Sequence, residues 1–100
     1  MNLEKLVAAL RTIKKSYGLD MTDLLILDDV ARAQKAVGRV TIMEFVESCD
    51  AASQATVHSR IKILCDHNFL CKDIEAGNLR SKVLTIGPRY QKLIATVGEA

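Results

Sequence analysis

The apolar residues of this chain change their period twice, and those changes confine the fold more than any other feature. Up to residue 67 they recur at spacings of three and four: Leu3, Leu6, Val7, Leu10, Ile13 and Tyr17, then Leu24, Leu27, Val30 and Ala31, then Val57, Ile61 and Leu64. Such spacing gathers them on one face of a helix. From residue 69 the pattern turns β-prone, in Phe69 to Ile74 (FLCKDI) and Leu79 to Ile86 (LRSKVLTI), separated by the turn signal Glu75-Ala76-Gly77-Asn78. Helical spacing then returns in Tyr90, Leu93, Ile94 and Val97, behind a Pro88 suited to a first helical turn. The fold class expected is mainly α with a small β-hairpin, an α+β arrangement.

Local signals divide the helical part. Asn2 can cap a first helix that stops at Gly18, and Asp20 a second, with Asp23 at its third position, where a carboxylate suits the positive end of the helix dipole. Gly38 ends that helix, and Arg39-Val40 is short and extended. Thr41-Ile42-Met43-Glu44 is a capping box in front of a third helix of about Ile42 to Cys49. Asp50-Ala51-Ala52 is a turn, Ser53 caps a fourth helix, and Asn68, which tolerates the left-handed conformation, ends it. Two helices joined by a tight turn, the second with a polar free face, form a helix-turn-helix. The order is α-α-(β)-α-α-β-β-α.

One hundred residues with 49% hydrophobic and 26% charged side chains suit one soluble domain. No apolar run approaches the roughly 20 residues of a membrane span. Glu4 beside Lys5 and the polar Arg11 to Ser16 do not match a secretory signal, so a cytoplasmic chain without membrane contact is expected. Cys49, Cys65 and Cys71 are odd in number and lack a C-x-x-C, which points to reduced thiols. Residues 1 to 50 hold seven basic and eight acidic side chains, and residues 51 to 100 seven and four. The C-terminal half is therefore where an anionic partner fits. A domain this small, with four aromatics and no Trp, gains from dimerisation.

With Val57, Ile61 and Leu64 inward, the fourth helix turns Gln54, Ala55, His58, Ser59 and Lys62 to solvent. Gln, Ser and His can hydrogen-bond base edges, Ala can touch a thymine methyl, and Arg60 or Lys62 can reach phosphate. Ser53 and Thr56 belong to the same helix start. The plainer alternative is a solvated helix face. On the hairpin, Lys72, Asn78, Arg80 and Lys82 are candidates for a backbone or minor-groove clamp, against an exposed turn that is basic by chance. Cys65-x-His67-x-x-x-Cys71 has no second ligand pair, so no metal is expected. No cofactor loop, nucleophile motif or H-E-x-x-H is present, and an enzyme is not expected. Asp20, Asp23, Asp28 and Asp29 are either a solvated, capped face or a docking site for a basic protein. The stripes Leu3, Leu6, Leu10, Ile13 and Tyr90, Leu93, Ile94, Val97 are candidates for pairing with a second subunit.

Over residues 19 to 97 the chain resembles the MarR family of bacterial transcription regulators. The matching stretches are Leu19 to Val30 (LDMTDLLILDDV), Thr41 to Leu70 (TIMEFVESCDAASQATVHSRIKILCDHNFL) and Ile74 to Ile94 (IEAGNLRSKVLTIGPRYQKLI). The resemblance implies a single winged-helix domain over 1–100. Its parts are a helix-turn-helix at 41–67, a wing at 69–86 and a C-terminal helix at 88–97, preceded by an N-terminal helix at 1–18 that is a candidate for dimerisation. It also implies a homodimeric, sequence-specific regulator of duplex DNA, more often a repressor, and in many relatives a small-molecule effector pocket. The chain departs from the family pattern in Asn68 for Gly, in a wing about two residues shorter, and in Asn78-Leu79-Arg80 for Asp-x-Arg. The competing expectation is a winged helix used as an adaptor or inhibitor of another protein. A DNA binder needs Arg60, Lys62, Lys72, Arg80 and Lys82 on one face, whereas an adaptor scatters them.

Overall fold

The computed structural model describes residues 2–75 and 78–98, with the side chains of 74, 75, 78–81, 97 and 98 outside the description. The elements are α1 (Leu3–Tyr17), α2 (Met21–Val37), β1 (Val40–Thr41), α3 (Ile42–Ser48), α4 (Gln54–Asp66), β2 (Leu70–Glu75), β3 (Asn78–Ile86) and α5 (Arg89–Gly98). Each of the first four helices starts at the residue whose side chain can accept a backbone N–H: Asn2, Asp20, Thr41 and Ser53. Asp20 with Asp23, and Thr41 with Glu44, close reciprocal capping boxes. Gly18 and Gly38 stop α1 and α2 in the left-handed conformation, and Asn68 takes the same conformation (φ 66°) after α4.

The sheet is antiparallel with β3 in the centre, in the order β1-β3-β2. Val40 faces Leu84 and Thr41 faces Val83, so the short extended piece lies one residue later than the expected Arg39-Val40. Thr41 thus both pairs with β3 and caps α3, which makes the entry to the helix-turn-helix part of the sheet. In the hairpin, Lys72 faces Leu84 and Ile74 faces Lys82, and the register then shifts so that Glu75 faces Asn78. The strands therefore extend into both ends of the expected four-residue turn, and its middle, 76–77, lies outside the described residues.

One core joins all the helices to the sheet: Ile13 of α1, Ile26, Leu27 and Val30 of α2, Phe45 and Val46 of α3, and Val57, Ile61 and Leu64 of α4. They meet Phe69, Leu70, Leu84 and Leu93. Each such side chain stabilises by about 1.5–3 kcal/mol on burial, whereas a cap contributes about 0.5–2 kcal/mol. Packing therefore holds the helices in place and the caps set their ends.

Two expectations are corrected here. Ile13 and Leu93 are 1% and 3% exposed in the single protomer, so neither belongs to a face open to a second subunit. α1 packs on α5, and the Tyr17 and Thr96 hydroxyls share a 3.2 Å hydrogen bond across that contact. Periodicity marks an apolar face without saying which neighbour covers it, and here these two stripes partly cover each other.

Gly87 closes the wing onto the rest of the domain. Its N–H donates to the Phe69 carbonyl at 2.9 Å, and the Arg89 N–H donates to the Asn68 carbonyl at 3.0 Å. A Cβ at Gly87 would overlap the Asn68 carbonyl oxygen and lie 2.9 Å from both the Asn68 carbonyl carbon and the Leu70 nitrogen. Only a residue without Cβ lets the two chain segments approach this closely.

Candidate nucleic-acid interface

α4 is the candidate for the interface because its two faces differ. Val57, Ile61 and Leu64 are buried, while Gln54, Ala55, His58, Ser59 and Lys62 are exposed, as the spacing predicts. At its start, Ser53 Oγ accepts the Thr56 N–H at 3.2 Å and donates to Thr56 Oγ1 at 3.0 Å. Ser53 and Thr56 are thus exposed but partnered with each other, in the role of a helix cap.

The sheet brings further cations to this helix. In an antiparallel ladder, residues facing each other and those two positions along share one side of the sheet. Leu70, Lys72, Lys82 and Leu84 are therefore on the same side, the core leucines nearer the base and the lysines nearer the tip. On that side β2 runs Leu70, Lys72, Ile74 and β3 runs Ile86, Leu84, Lys82, so on each strand a lysine follows the core leucine. The result is an open groove of about 230 Å³ between α4, the start of α3 and the wing. It is lined by Thr41, Ile42 and Met43, by His58, Ile61 and Lys62, and by Lys72 and Lys82. Three ammonium groups from three elements thus border one concave surface whose floor is partly apolar. Such a concave surface of one sign raises the local concentration of a polyanion.

Arg60 departs from this arrangement and from the expected phosphate contact. Its Nε donates to Asp23 Oδ1 at 2.6 Å and its Nη2 to Asp23 Oδ2 at 2.5 Å, and the Asp23 carboxylate is fully buried. The hydrogen bonds to Asp23 push the Arg60 pKa up, so the guanidinium is held charged and turned away from the groove. A helix turns 100° per residue, so Arg60 and Lys62 lie about 200° apart around α4 and cannot share its outer face. That spacing was legible in the sequence; its buried partner, 37 positions earlier, was not. Met43, Ile42 and Thr41, which the groove uses, gave no sequence signal beyond the cap and the helix start.

Arg89, another of the basic residues of the C-terminal half, is also committed internally. Its guanidinium lies 4.5 Å from the Phe69 ring centroid and 5.5 Å from that of Tyr17, and it donates to the His67 carbonyl at 3.3 Å. Asn78 and Arg80 lie on β3, Arg80 within the stretch where the register shifts. Their side chains, and that of Val97, lie outside the described residues.

The acidic residues of α2 are largely engaged within the chain. Asp20 Oδ1 accepts the Asp23 N–H at 3.0 Å, and chiefly that bond holds its carboxyl below the ordinary value of 3.8. Asp28 pairs with Arg32 at 2.8 Å, and Asp29 accepts from Cys49 Sγ at 3.7 Å. Burial pushes the Cys49 and Cys65 thiols up, which keeps them protonated at neutral pH. Among the described residues no three His, Cys, Asp or Glu side chains converge as metal ligands.

Of the remaining subunit-contact candidates, Leu3 and Leu6 are exposed on α1 and Ile94 on α5, whereas Leu10 and Tyr90 are half-buried. Leu3 and Val7, with Glu4, Ala8 and Arg11, line a shallow surface depression. No described helix is long and apolar enough to cross a membrane.

Compared by sequence, the chain matches no family model and no curated protein. Its fold is nonetheless that of solved winged-helix regulators. A transcriptional regulator from Thermotoga maritima superposes with a TM-score of 0.67 at 19% identity, covering 96% of this chain and 63% of that one. A MepR variant of Staphylococcus aureus bound to an oligodeoxyribonucleotide gives 0.72 at 14% identity, covering 96% and 67%. Staphylococcus aureus MarR in complex with salicylate and kanamycin gives 0.64 at 23% identity, covering 86% and 54%. The fold is thus the MarR-like winged helix, and the chain spans between about half and two thirds of these proteins' lengths.

Proposed function

We propose that this chain binds duplex DNA sequence-specifically and represses transcription as a homodimer. The observation that carries the proposal is the convergence of Lys62, Lys72 and Lys82 on one groove beside the exposed polar face of α4. On this reading α4 enters the major groove, with Gln54, Ala55, His58 and Ser59 against base edges, while the lysines neutralise flanking phosphates. The wing, with Arg80, follows the neighbouring backbone or minor groove. A MepR variant of the same fold is bound to an oligodeoxyribonucleotide, which supports DNA as the partner.

The homodimer rests on a separate observation. All residues from Asn2 to Ala8 are exposed, and three of them, Leu3, Leu6 and Val7, are large and apolar. An apolar helix end without cover in the protomer is suited to a second subunit. The adaptor alternative draws little from the acidic helix, because Asp20, Asp23, Asp28 and Asp29 already have partners within the chain.

Selection of the purified protein against a random duplex library at near-physiological salt, followed by sequencing, tests the proposal. The expected result is a palindrome with half-sites about one helical turn, roughly 10 base pairs, apart. Retention without sequence enrichment refutes specific regulation. Sedimentation of the free protein as a monomer at micromolar concentration refutes the dimer.

A further inference from the structure

The Asp23–Arg60 pair is the only arginine–carboxylate pair that the structure ties directly between α2 and the face-bearing helix α4 among the described residues, and its geometry is unusually complete. Asp23 sits at the third position of α2, inside the capping box, where its Oδ2 also accepts the Asp20 N–H at 3.0 Å. The carboxylate therefore has no freedom of its own: one oxygen takes Arg60 Nε, and the other takes Arg60 Nη2 and the backbone at the start of α2. Arg60 lies near the middle of the 13-residue α4 and is bound by two of its donors side by side.

We propose that Asp23 and Arg60 are positioning residues that fix the rotational setting of α4, and with it the sequence preference of its outer face, without touching DNA. The inference rests on the DNA-binding reading above and adds to it a role for two residues outside the interface. Apolar packing by Val57, Ile61 and Leu64 holds α4 against the core but is non-directional. A planar guanidinium fork on a fixed carboxylate is directional: both bonds survive only at one rotation and one axial position of the helix. With side chains a helix is about 10–12 Å across, so turning it by about 10° moves an outer side-chain tip by roughly 1 Å. Hydrogen bonds to base edges occupy only about 2.7–3.2 Å between heavy atoms, so a displacement of that size breaks them. Contacts between ammonium groups and phosphates tolerate it, because they are Coulombic and less demanding of angle.

The charge-conserving variant Arg60→Lys separates this role from its alternatives, since lysine keeps the cation and loses the fork. Affinity is measured for the selected duplex and for a scrambled duplex, each across a range of salt, well below the melting temperature of the variant. The expected result is a loss of about tenfold or more for the selected duplex, with scrambled-duplex affinity and the salt slope unchanged. A second variant, Asp23→Asn with Arg60→Met, leaves no buried charge unpaired and reads the same quantities if the single variant is poorly folded; it too is expected to lose preference. An unchanged ratio of selected to scrambled affinity in a folded variant overturns the proposal. So does an equal fall on both duplexes. In the double variant, which lacks the cation, a salt slope lower by about 0.9 marks Arg60 as a phosphate contact instead. If the wild-type protein itself shows no preference among duplexes, the DNA-binding reading fails and takes this inference with it. If the wild type is selective and Arg60→Lys equally so, the inference alone fails.

Discussion

Replacing Gly87 by alanine is the substitution for which the structure makes the sharpest demand. The added Cβ would overlap the Asn68 carbonyl oxygen and stand 2.9 Å from two more backbone atoms, the Asn68 carbonyl carbon and the Leu70 nitrogen. None of these is the end of a flexible side chain, so the junction of α4 and β2 must part from the junction of β3 and α5. Overpacking costs about 1–3 kcal/mol, and two backbone hydrogen bonds that must stretch, Gly87 to Phe69 and Arg89 to Asn68, bring the total to about 2–4 kcal/mol. For a domain of this size each kcal/mol lowers the melting temperature by about 4–8 °C, so a drop of roughly 8–32 °C is expected. Circular dichroism melts of wild type and variant, repeated with urea, measure it. Gly38→Ala serves as the internal control. Gly38, by contrast, has no neighbour within 4 Å of a built Cβ, and its φ is 77°, so its substitution costs only left-handed strain, about 1–2 kcal/mol. A Gly87→Ala melting temperature within about 3 °C of wild type, or a smaller effect than that of Gly38→Ala, refutes the close-approach argument.

Three further outcomes follow from the same geometry. Changing Lys62, Lys72 and Lys82 together to Gln is expected to lower the slope of log K against log salt by up to about 2.7, so that the affinity lost between 50 and 200 mM salt shrinks by roughly 40-fold; an unchanged slope removes the groove from the DNA interface. Because the native Asp20 carboxyl lies below its ordinary value of 3.8, its contribution is present above that value and is lost as pH falls through the native one. Asp20→Asn, which caps without ionising, should therefore narrow the stability difference between pH 6 and pH 3, as read by urea unfolding at each pH; the same acid sensitivity in the variant contradicts this. The raised Cys49 and Cys65 thiols predict slow alkylation by iodoacetamide at pH 7 relative to a free cysteine peptide, accelerating as pH rises above 9.0, and mass spectrometry showing either one modified at the peptide's rate counts against it.

Much of the fold was legible because its signals are local. A cap residue and the amide it receives are three positions apart, and a stop in the left-handed conformation depends on a single residue. Asn2, Asp20, Thr41, Ser53, Gly18, Gly38 and Asn68 could therefore be placed from the chain alone, and the structure keeps each. The outer face of α4 was legible for a similar reason, since burying Val57, Ile61 and Leu64 leaves Gln54, Ala55, His58, Ser59 and Lys62 outside. The parity of Lys72 and Lys82 with Leu70 and Leu84 was also available once a register was assumed, although the register itself was not.

Partner choice over long separations was not legible. Charge alone offered Arg60 to a phosphate and counted Arg89 toward the basic C-terminal half, yet one is held by Asp23 and the other rests on Phe69 and Tyr17. Amphipathic spacing offered Ile13 and Leu93 to a second subunit, and the protomer's own core took both. By itself the sequence determined the order of elements, their ends, and which side of each helix is apolar, because those depend on backbone capping and on a period of three to four residues. Only the tertiary structure decided which faces meet, which cations remain exposed around the groove, and why residue 87 must lack a Cβ, because those depend on where distant segments come to rest against one another.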